Sequence, residues 1–282
     1  MSARTHQVSR RRRRRSAFTL IDLLVAIATT ALLVLLVVPT SSHVQPNVYA
    51  VQCRNNLRQL SVACKMYADD NNGSIVSAYP RYGGFMATWC AGSAETGGAS
   101  GNYTYGGADP AGIQAGLLWP YTRTLSLYHC PTDHRVADPA TTPSSQRGKP
   151  ILRSISMNSY MAGMSYGAST SWTALNPATP RDPNRPVYLR DTEMKLPAQT
   201  FLLADEDFES INDGMLIVDV GGSRRFIDLP SRAHRFGYGT SFADGHAETI
   251  QFKDDASKEW SVVVTGGLAD WMRLTNITTH PL

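Results

Sequence analysis

The 282-residue chain holds only four cysteines, Cys53, Cys64, Cys90 and Cys130. No CxxC pair and no Cys/His zinc spacing occurs among them, which excludes the compact zinc modules built on such pairs. Acidic residues are missing from residues 1–17, where seven arginines stand, Arg4 and Arg10 to Arg15. Taking those seven from the formal net charge of +4 leaves −3 for the rest of the chain. The body therefore lacks the basic excess that a nucleic-acid-binding face needs, and no nucleic-acid partner is expected. There is also no strand–helix–strand succession from which a parallel hydrolase sheet could be built.

What is present begins with one long apolar run, Phe18 to Val38 (FTLIDLLVAIATTALLVLLVV). A helical bilayer crossing takes about 20 such residues. Six consecutive arginines precede the run, and by the positive-inside rule they stay in the cytoplasm while the remainder is exported. A cleavable secretory signal has an apolar region of about 7–15 residues and a small-residue cut site. Here the run is longer and ends at Val38-Pro39-Thr40-Ser41-Ser42, without an A-x-A. Asp22 is out of place in an ordinary anchor, because a carboxylate in hydrocarbon costs at least a few kcal/mol. It lies four residues after Phe18, on the same helical face. A cut before Phe18 creates an α-amino group that can pair with Asp22 of its own chain or of a neighbour.

Ser16-Ala17-Phe18-Thr19-Leu20-Ile21-Asp22-Leu23-Leu24 resembles the prepilin cleavage and methylation motif, usually G-F-T-L-I-E-L-L. The resemblance implies cleavage between Ala17 and Phe18 by a prepilin peptidase and N-methylation of Phe18. Asp22 stands where the family's glutamate neutralises the amino terminus of an adjoining subunit. Ala17 stands where the family has glycine. Pro39 falls near the point where pilin helices kink, which proline does on its own physics. The stretch Cys53 to Gly73 resembles a pseudopilin-like segment often written C-x-N-N-L-[RK]-Q-[LI]. Trp119-Pro120-Tyr121 and Tyr128-His129-Cys130-Pro131 resemble the L-x-P-Y and C-P segments of the same group. His234, nine intervening residues and then Asp244-Gly245 resemble the H-x9-DG signature of large prepilin-processed proteins.

The fold this implies is pilin-like α+β: a long N-terminal transmembrane helix packed on an antiparallel β-sheet head with long loops. Its parts are a basic leader (1–17), a transmembrane helix (18–38), the outer half of the long helix (39–73) and a β-rich head (74–282) with the H-x9-DG hairpin near 234–252. The function implied is structural: a pseudopilin of a type II secretion or type IV pilus-like filament. Its partners are the prepilin peptidase, other pseudopilin subunits and the inner-membrane secretion platform. It would sit in the bacterial inner membrane as a single-pass protein, N-terminus cytoplasmic and head periplasmic. No reaction is expected of it.

The residues beyond the apolar run have their own pattern. Cys53, Leu57, Leu60, Cys64 and Tyr67 recur at spacings of four, three, four and three, one apolar stripe on a helix. Asn71-Asn72-Gly73 supplies its stop. Residues 74 to about 116 read as irregular surface loop, and 136–150 and 168–196 as further loops. Strands are expected at Arg153–Tyr160, Phe201–Ala204, Met215–Val220 and Arg225–Leu229, with an acidic turn at Asp205-Glu206-Asp207. Asp244-Gly245 between alternating segments predicts a two-residue hairpin loop that sets Phe242 opposite Ala247.

Several constellations bear on chemistry. His234, Asp244 and His246 are candidate ligands for zinc or calcium. Asp205, Glu206, Asp207 and Asp213 are an acid-rich alternative. Related pseudopilins often bind calcium in a head loop, so calcium is the cofactor the resemblance allows. The plainer reading gives His234 a hydrogen bond that fixes the hairpin loop, and Asp244-Gly245 simple turn chemistry. Asp69-Asp70 reads as a polar helix end rather than an EF-hand, because no glycine sits at the required spacing. Cys53 and Cys64 lie about 16 Å apart along one helix, beyond disulfide reach. An even cysteine count in an exported chain allows a Cys90–Cys130 disulfide and equally allows four reduced, buried thiols. Gly163-Met164-Ser165-Tyr166-Gly167 fits G-x-S-x-G, with Asp205 and His234 following in hydrolase order. The alternative function is therefore a membrane-anchored extracytoplasmic hydrolase, or a carbohydrate- or protein-binding protein on the same anchor. Tyr79, Tyr82, Phe85, Trp89, Tyr103 and Tyr105 would form the binding surface, or else cover the core.

Overall fold

A computed structural model describes residues 19–37, 45–79, 88–97, 104–162, 164–166, 172–174, 186–220, 226–254 and 268–281. The leader, Ala17, Phe18 and Pro39 lie outside the described residues. The chain divides into two units, Met1–Gln45 and Pro46–Leu282.

In the first unit, α1 spans Leu20–Val37, 18 residues. Thr19 caps it. The Thr19 N–H and hydroxyl both donate to the Asp22 carboxylate, at 2.9 and 2.8 Å, and the Asp22 N–H donates back to Thr19 Oγ1 at 3.3 Å. This is a reciprocal capping box, which satisfies donors that a helix start leaves orphaned. Apolar residues stand exposed all round α1, from Leu20 to Val34. Among the described residues, no helix is long and apolar enough to cross a membrane.

The second unit is a mixed α+β fold. The helix α2 runs Gln45–Asp70; the stretch near Pro39 where the long helix is expected to bend or break lies at residues 38–44, outside the described residues. The predicted stripe is the buried one: Cys53, Leu57 and Leu60 are fully covered, Cys64 nearly so, and Tyr67 packs at the edge. Each fully buried leucine contributes roughly 1.5–3 kcal/mol of hydrophobic stabilisation. Asn72 and Gly73 take positive φ of 55° and 77°, and the Gly73 N–H reaches back to the Ala68 carbonyl at 2.7 Å, closing the helix where expected.

Two short helices follow, α3 (Pro110–Gln114) and α4 (Trp119–Thr122). The strands are β1 (Ile155–Asn158), β2 (Met164–Tyr166), β3 (Trp172–Ala174), β4 (Phe201–Asp205), β5 (Met215–Leu216), β6 (Gly237–Phe242) and β7 (Ala247–Gln251). The last helix, α5, is Leu268–Asn276. Strands β5-β1-β4-β6-β7, in that order, form a five-stranded sheet, and β2 pairs with β3 in a separate ribbon. The large sheet is antiparallel except for the β1–β5 pair, which is parallel.

Each face of the sheet has its own cover. The stripe of α2 packs with Met157, Leu203 and Trp89 on one face. On the other, Phe201, Tyr238, Phe242 and Ile250 pack with Leu274 and Trp271 of α5. A register shift between Phe201 and Leu203 breaks strict alternation, so Phe201 faces α5 while Leu203 faces α2. Strand β6 turns its large residues, Tyr238 and Phe242, toward α5 and its glycine, Gly239, toward Leu57 and Cys53 of α2.

Several expectations are corrected. The 74–116 stretch is not surface loop throughout. Val76, Ala78, Trp89, Cys90 and Ile113 are core residues, and Trp89 stacks on Tyr128 at 5.7 Å while its indole N–H donates to the Gly214 carbonyl at 2.8 Å. Composition misled because glycines there admit close backbone packing. Within 168–196, Trp172–Ala174 forms a strand. Asp205 belongs to β4 rather than to the acidic turn, and Asp205, Glu206 and Asp207 are all buried. No strand covers Arg225–Leu229 among the described residues; Phe226 makes only a bridge to Val218. The hairpin loop has three residues, not two. The Gly245 N–H bonds the Phe242 carbonyl at 2.9 Å, and the Phe242 N–H bonds the His246 carbonyl at 2.9 Å. Gly245, at φ 94°, is the left-handed residue of a three-residue loop with a bulge. Ala247 consequently opposes Ser241, not Phe242.

Candidate functional site

Four side chains from four distant segments meet under α2. Cys53 stands on its buried stripe. Cys130 follows the 3-10 turn Leu125–Tyr128, its N–H held by Ser154 Oγ at 2.6 Å. Asp205 ends β4, and His234 lies in the turn before β6. Their donor atoms all lie within 4.8 Å of one another, and all four residues are buried.

The contacts are tight. Cys53 Sγ lies 2.9 and 2.8 Å from the two Asp205 carboxylate oxygens. His234 Nε2 lies 3.0 Å from Asp205 Oδ2 and 3.3 Å from Cys130 Sγ. Outer groups support the cluster: Thr132 Oγ1 is 2.9 Å from Cys130 Sγ, and the Gly239 N–H donates to Asp205 Oδ2 at 3.2 Å. Gly239 is required here by space. A Cβ on it would sit 2.8 Å from Leu57 Cδ1, 3.0 Å from Asp205 Oδ2 and 3.2 Å from Cys53 Sγ.

The local backbone sets the position of His234. The His234 N–H donates to the Gly237 carbonyl at 3.0 Å, and its own carbonyl accepts from Gln251 Nε2 at 3.1 Å. Between them Arg235 and Phe236 take φ of 56° and 58°. Two successive left-handed residues without glycine carry a strain of about 1–2 kcal/mol each. Such strain persists only where surrounding contacts over-determine it, and it gathers at functional sites.

The protonation landscape follows from crowding. Burial pushes the Cys53 thiol well above its ordinary range, and Cys130 and Asp205 push the same way. Cys130 is drawn down to about 7, first by its contact with Cys53, against burial. Burial works to lower His234, but its bonds to Asp205 and Cys130 outweigh that and raise it to about 10.

A cavity of about 310 Å³ reaches the cluster from outside, lined by Cys130 and Asp205 together with Asp133, Arg135, Glu206 and Phe208. Phe208 is exposed at 62%.

Of the sequence-predicted residues, His234 and Asp205 come together here. Asp244 and His246 do not join them; they pair with each other at the hairpin tip, His246 Nδ1 to Asp244 Oδ1 at 2.6 Å, while the His246 ring stacks on Phe242 at 4.3 Å. His234 and Asp244-Gly245 sit at opposite ends of β6, so the nine-residue interval spans a strand, and His234 does not fix the loop. The acids near Asp205 have separate partners. Arg232 donates to both oxygens of Asp207 at 2.9 and 3.1 Å. Asp213 Oδ1 accepts from the Met215 N–H at 2.7 Å. Burial, with Asp228 nearby, pushes Glu206 well above the carboxylate range. Asp69 pairs with Lys65 at 3.0 Å and Asp70 accepts from the Tyr121 hydroxyl at 3.0 Å, as a polar helix end does.

The Cys90–Cys130 disulfide is not formed: all four cysteines are free. Cys90 lies instead beside Gly214, whose added Cβ would meet its sulfur at 3.1 Å. Ser165 lies in mid-strand in β2, opposite Thr173, rather than on a strand-to-helix turn. Of the aromatic set, Trp89 is core, Tyr79 and Tyr105 are half-buried, and Tyr82, Phe85 and Tyr103 lie outside the described residues.

Sequence reasoning missed the partnership of Cys53 and Cys130 with His234. The signal available was that each lies in a short motif of its own. Comparison with protein-family models, with curated proteins and with solved structures finds no match to this chain.

Proposed function

We propose that this chain is a pilin-like structural subunit, cut before Phe18 by a prepilin peptidase, N-methylated there, and anchored by the Phe18–Val38 segment with its head outside the cytoplasm. The anchor reading needs that whole segment and its arginine leader, beyond the 18 residues of α1. Asp22 would meet the amino terminus of an adjoining subunit, replacing the Thr19 contacts that hold it in the single chain. The subunit's role is assembly into a short filament of a secretion or pilus-like machine, and it catalyses nothing.

One observation carries this reading. The head segments that bear the resemblance converge on one buried place. Cys53 of the C-x-N-N-L helix, Cys130 of the C-P segment and His234 of H-x9-DG are mutual neighbours. Asn56 of that helix donates to the carbonyls of Ser126 and His129, just before Cys130. Motifs scattered in sequence thus come together between α2 and the sheet, which supports reading them as parts of one helix-on-sheet head.

The test is the mass and first residue of the mature protein from its host, with and without prepilin peptidase. An N-methylated Phe18 that disappears without the peptidase supports the proposal. A start near Ser41 to Val44, or an uncut leader, overturns it.

A further inference from the structure

The buried cluster under α2 is a poor hydrogen-bonded arrangement and a good coordination shell. We infer that Cys53, Cys130, Asp205 and His234 bind one zinc-class divalent cation in a closed, tetrahedral site that pins α2 to the sheet. The inference stands on these four residues and does not depend on the chain being a filament subunit.

Geometry is the first argument. Zinc bonds of about 2.0–2.3 Å in a tetrahedron place donor atoms about 3.3–3.8 Å apart. The donors here stand 2.8 Å (Cys53 to Asp205), 3.0 Å (His234 to Asp205) and 3.3 Å (Cys130 to His234) apart, with every pair inside 4.8 Å. Shifts well under the width of an atom would seat the cation.

The arrangement also fits nothing else as well. A nucleophilic Cys–His–Asp triad needs the acid on one imidazole nitrogen and the thiol on the other. Here Asp205 and Cys130 both address Nε2, and Nδ1 is buried with no protein partner. A single N–H cannot serve two acceptors well, and Cys53 in turn addresses both oxygens of the same carboxylate. A cation at the centre takes one donor atom from each of the four groups at once. Its binding displaces the two thiol protons and the proton on His234 Nε2, leaving two thiolates, a carboxylate and a neutral imidazole.

Chemistry selects the metal. Thiolate and imidazole donors favour zinc, whereas calcium and magnesium take shells made of oxygen. The Thr132 hydroxyl on Cys130 and the Gly239 N–H on Asp205 are the outer contacts that orient such ligands. With four protein ligands the site is structural. Its ligands lie on α2, on the loop after Tyr128, on β4 and before β6, so one ion fastens four segments.

The experiment uses the full chain, purified in detergent. Elemental analysis after exchange into metal-free buffer is expected to find about one zinc per chain. Replacing it with cobalt is expected to give the visible bands of tetrahedral cobalt with a thiolate charge-transfer band. Cys130→Ser and Asp205→Asn are expected to lose the stoichiometric metal, and His246→Ala to keep it. If the ligand variants fail to fold, the cobalt spectrum of the unaltered chain still decides. Thr132→Val leaves all four ligands and is expected to weaken zinc binding about 10–100-fold. Zinc absent from the unaltered chain with no cobalt spectrum, calcium alone, octahedral cobalt, or a Cys53–Cys130 disulfide in the mature protein would each overturn the inference.

Discussion

Asn56 on α2 holds His129: its side-chain amide donates to the His129 carbonyl at 3.1 Å and to the Ser126 carbonyl at 3.0 Å. Asn56 is buried, at 7% exposed. Asn56→Leu keeps the branched heavy-atom skeleton but leaves both carbonyls without that donor. Loss of such buried bonds costs about 1–3 kcal/mol. Urea unfolding of the purified chain should show a lower midpoint with an unchanged slope. An unchanged midpoint would mean that the loop before Cys130 is held by other contacts.

Gly239 is where β6 comes closest to the helix. Gly239→Ala forces a Cβ to within 2.8 Å of Leu57 Cδ1 and 3.2 Å of Cys53 Sγ. Overpacking of this kind costs typically 1–3 kcal/mol. Thermal melts check this: a lowered midpoint is expected, and an unchanged one would show that the Leu57 and Cys53 side chains give way freely.

Gly245 tests the hairpin loop separately. Its φ of 94° is the only obstacle to a side chain. Gly245→Ala should cost roughly 1–2 kcal/mol through left-handed backbone strain alone. Gly245→Asn should cost less, since asparagine tolerates that region. Equal losses for the two would argue against the three-residue loop.

Arg232 and Asp207 make a two-point ion pair, with the Asp207 side chain 3% exposed. Removing one partner of a buried pair strands the other and costs about 3–5 kcal/mol. Arg232→Met should approach the lower end of that range, because the arginine side chain is itself 18% exposed. Asp207→Asn in the Arg232→Met background should recover part of the loss. A double-mutant cycle by chemical denaturation measures the coupling, and additive losses would show that the pair contributes little.

What the sequence by itself determined is what depends on near neighbours. The arginine leader and apolar run are contiguous. The stripe from Cys53 to Tyr67 repeats within single helical turns, and its stop at Asn72-Gly73 follows from left-handed tolerance, so both were legible. The strands at Phe201 and Ile155 were legible as short apolar or alternating runs. The acids after Phe201 were misread because charge alone does not reveal Arg232 as a partner for Asp207, 25 positions away. The hairpin was legible but its register was not, since one added loop residue moves every cross-strand pair. The tertiary structure alone decided the site. Cys53 and Asp205 stand 152 positions apart. They meet because α2 lies over β4 and β6, because Gly239 admits that approach, and because the shift before Leu203 turns Asp205 toward the helix. None of these relations is periodic in sequence; each is set by which surfaces pack together.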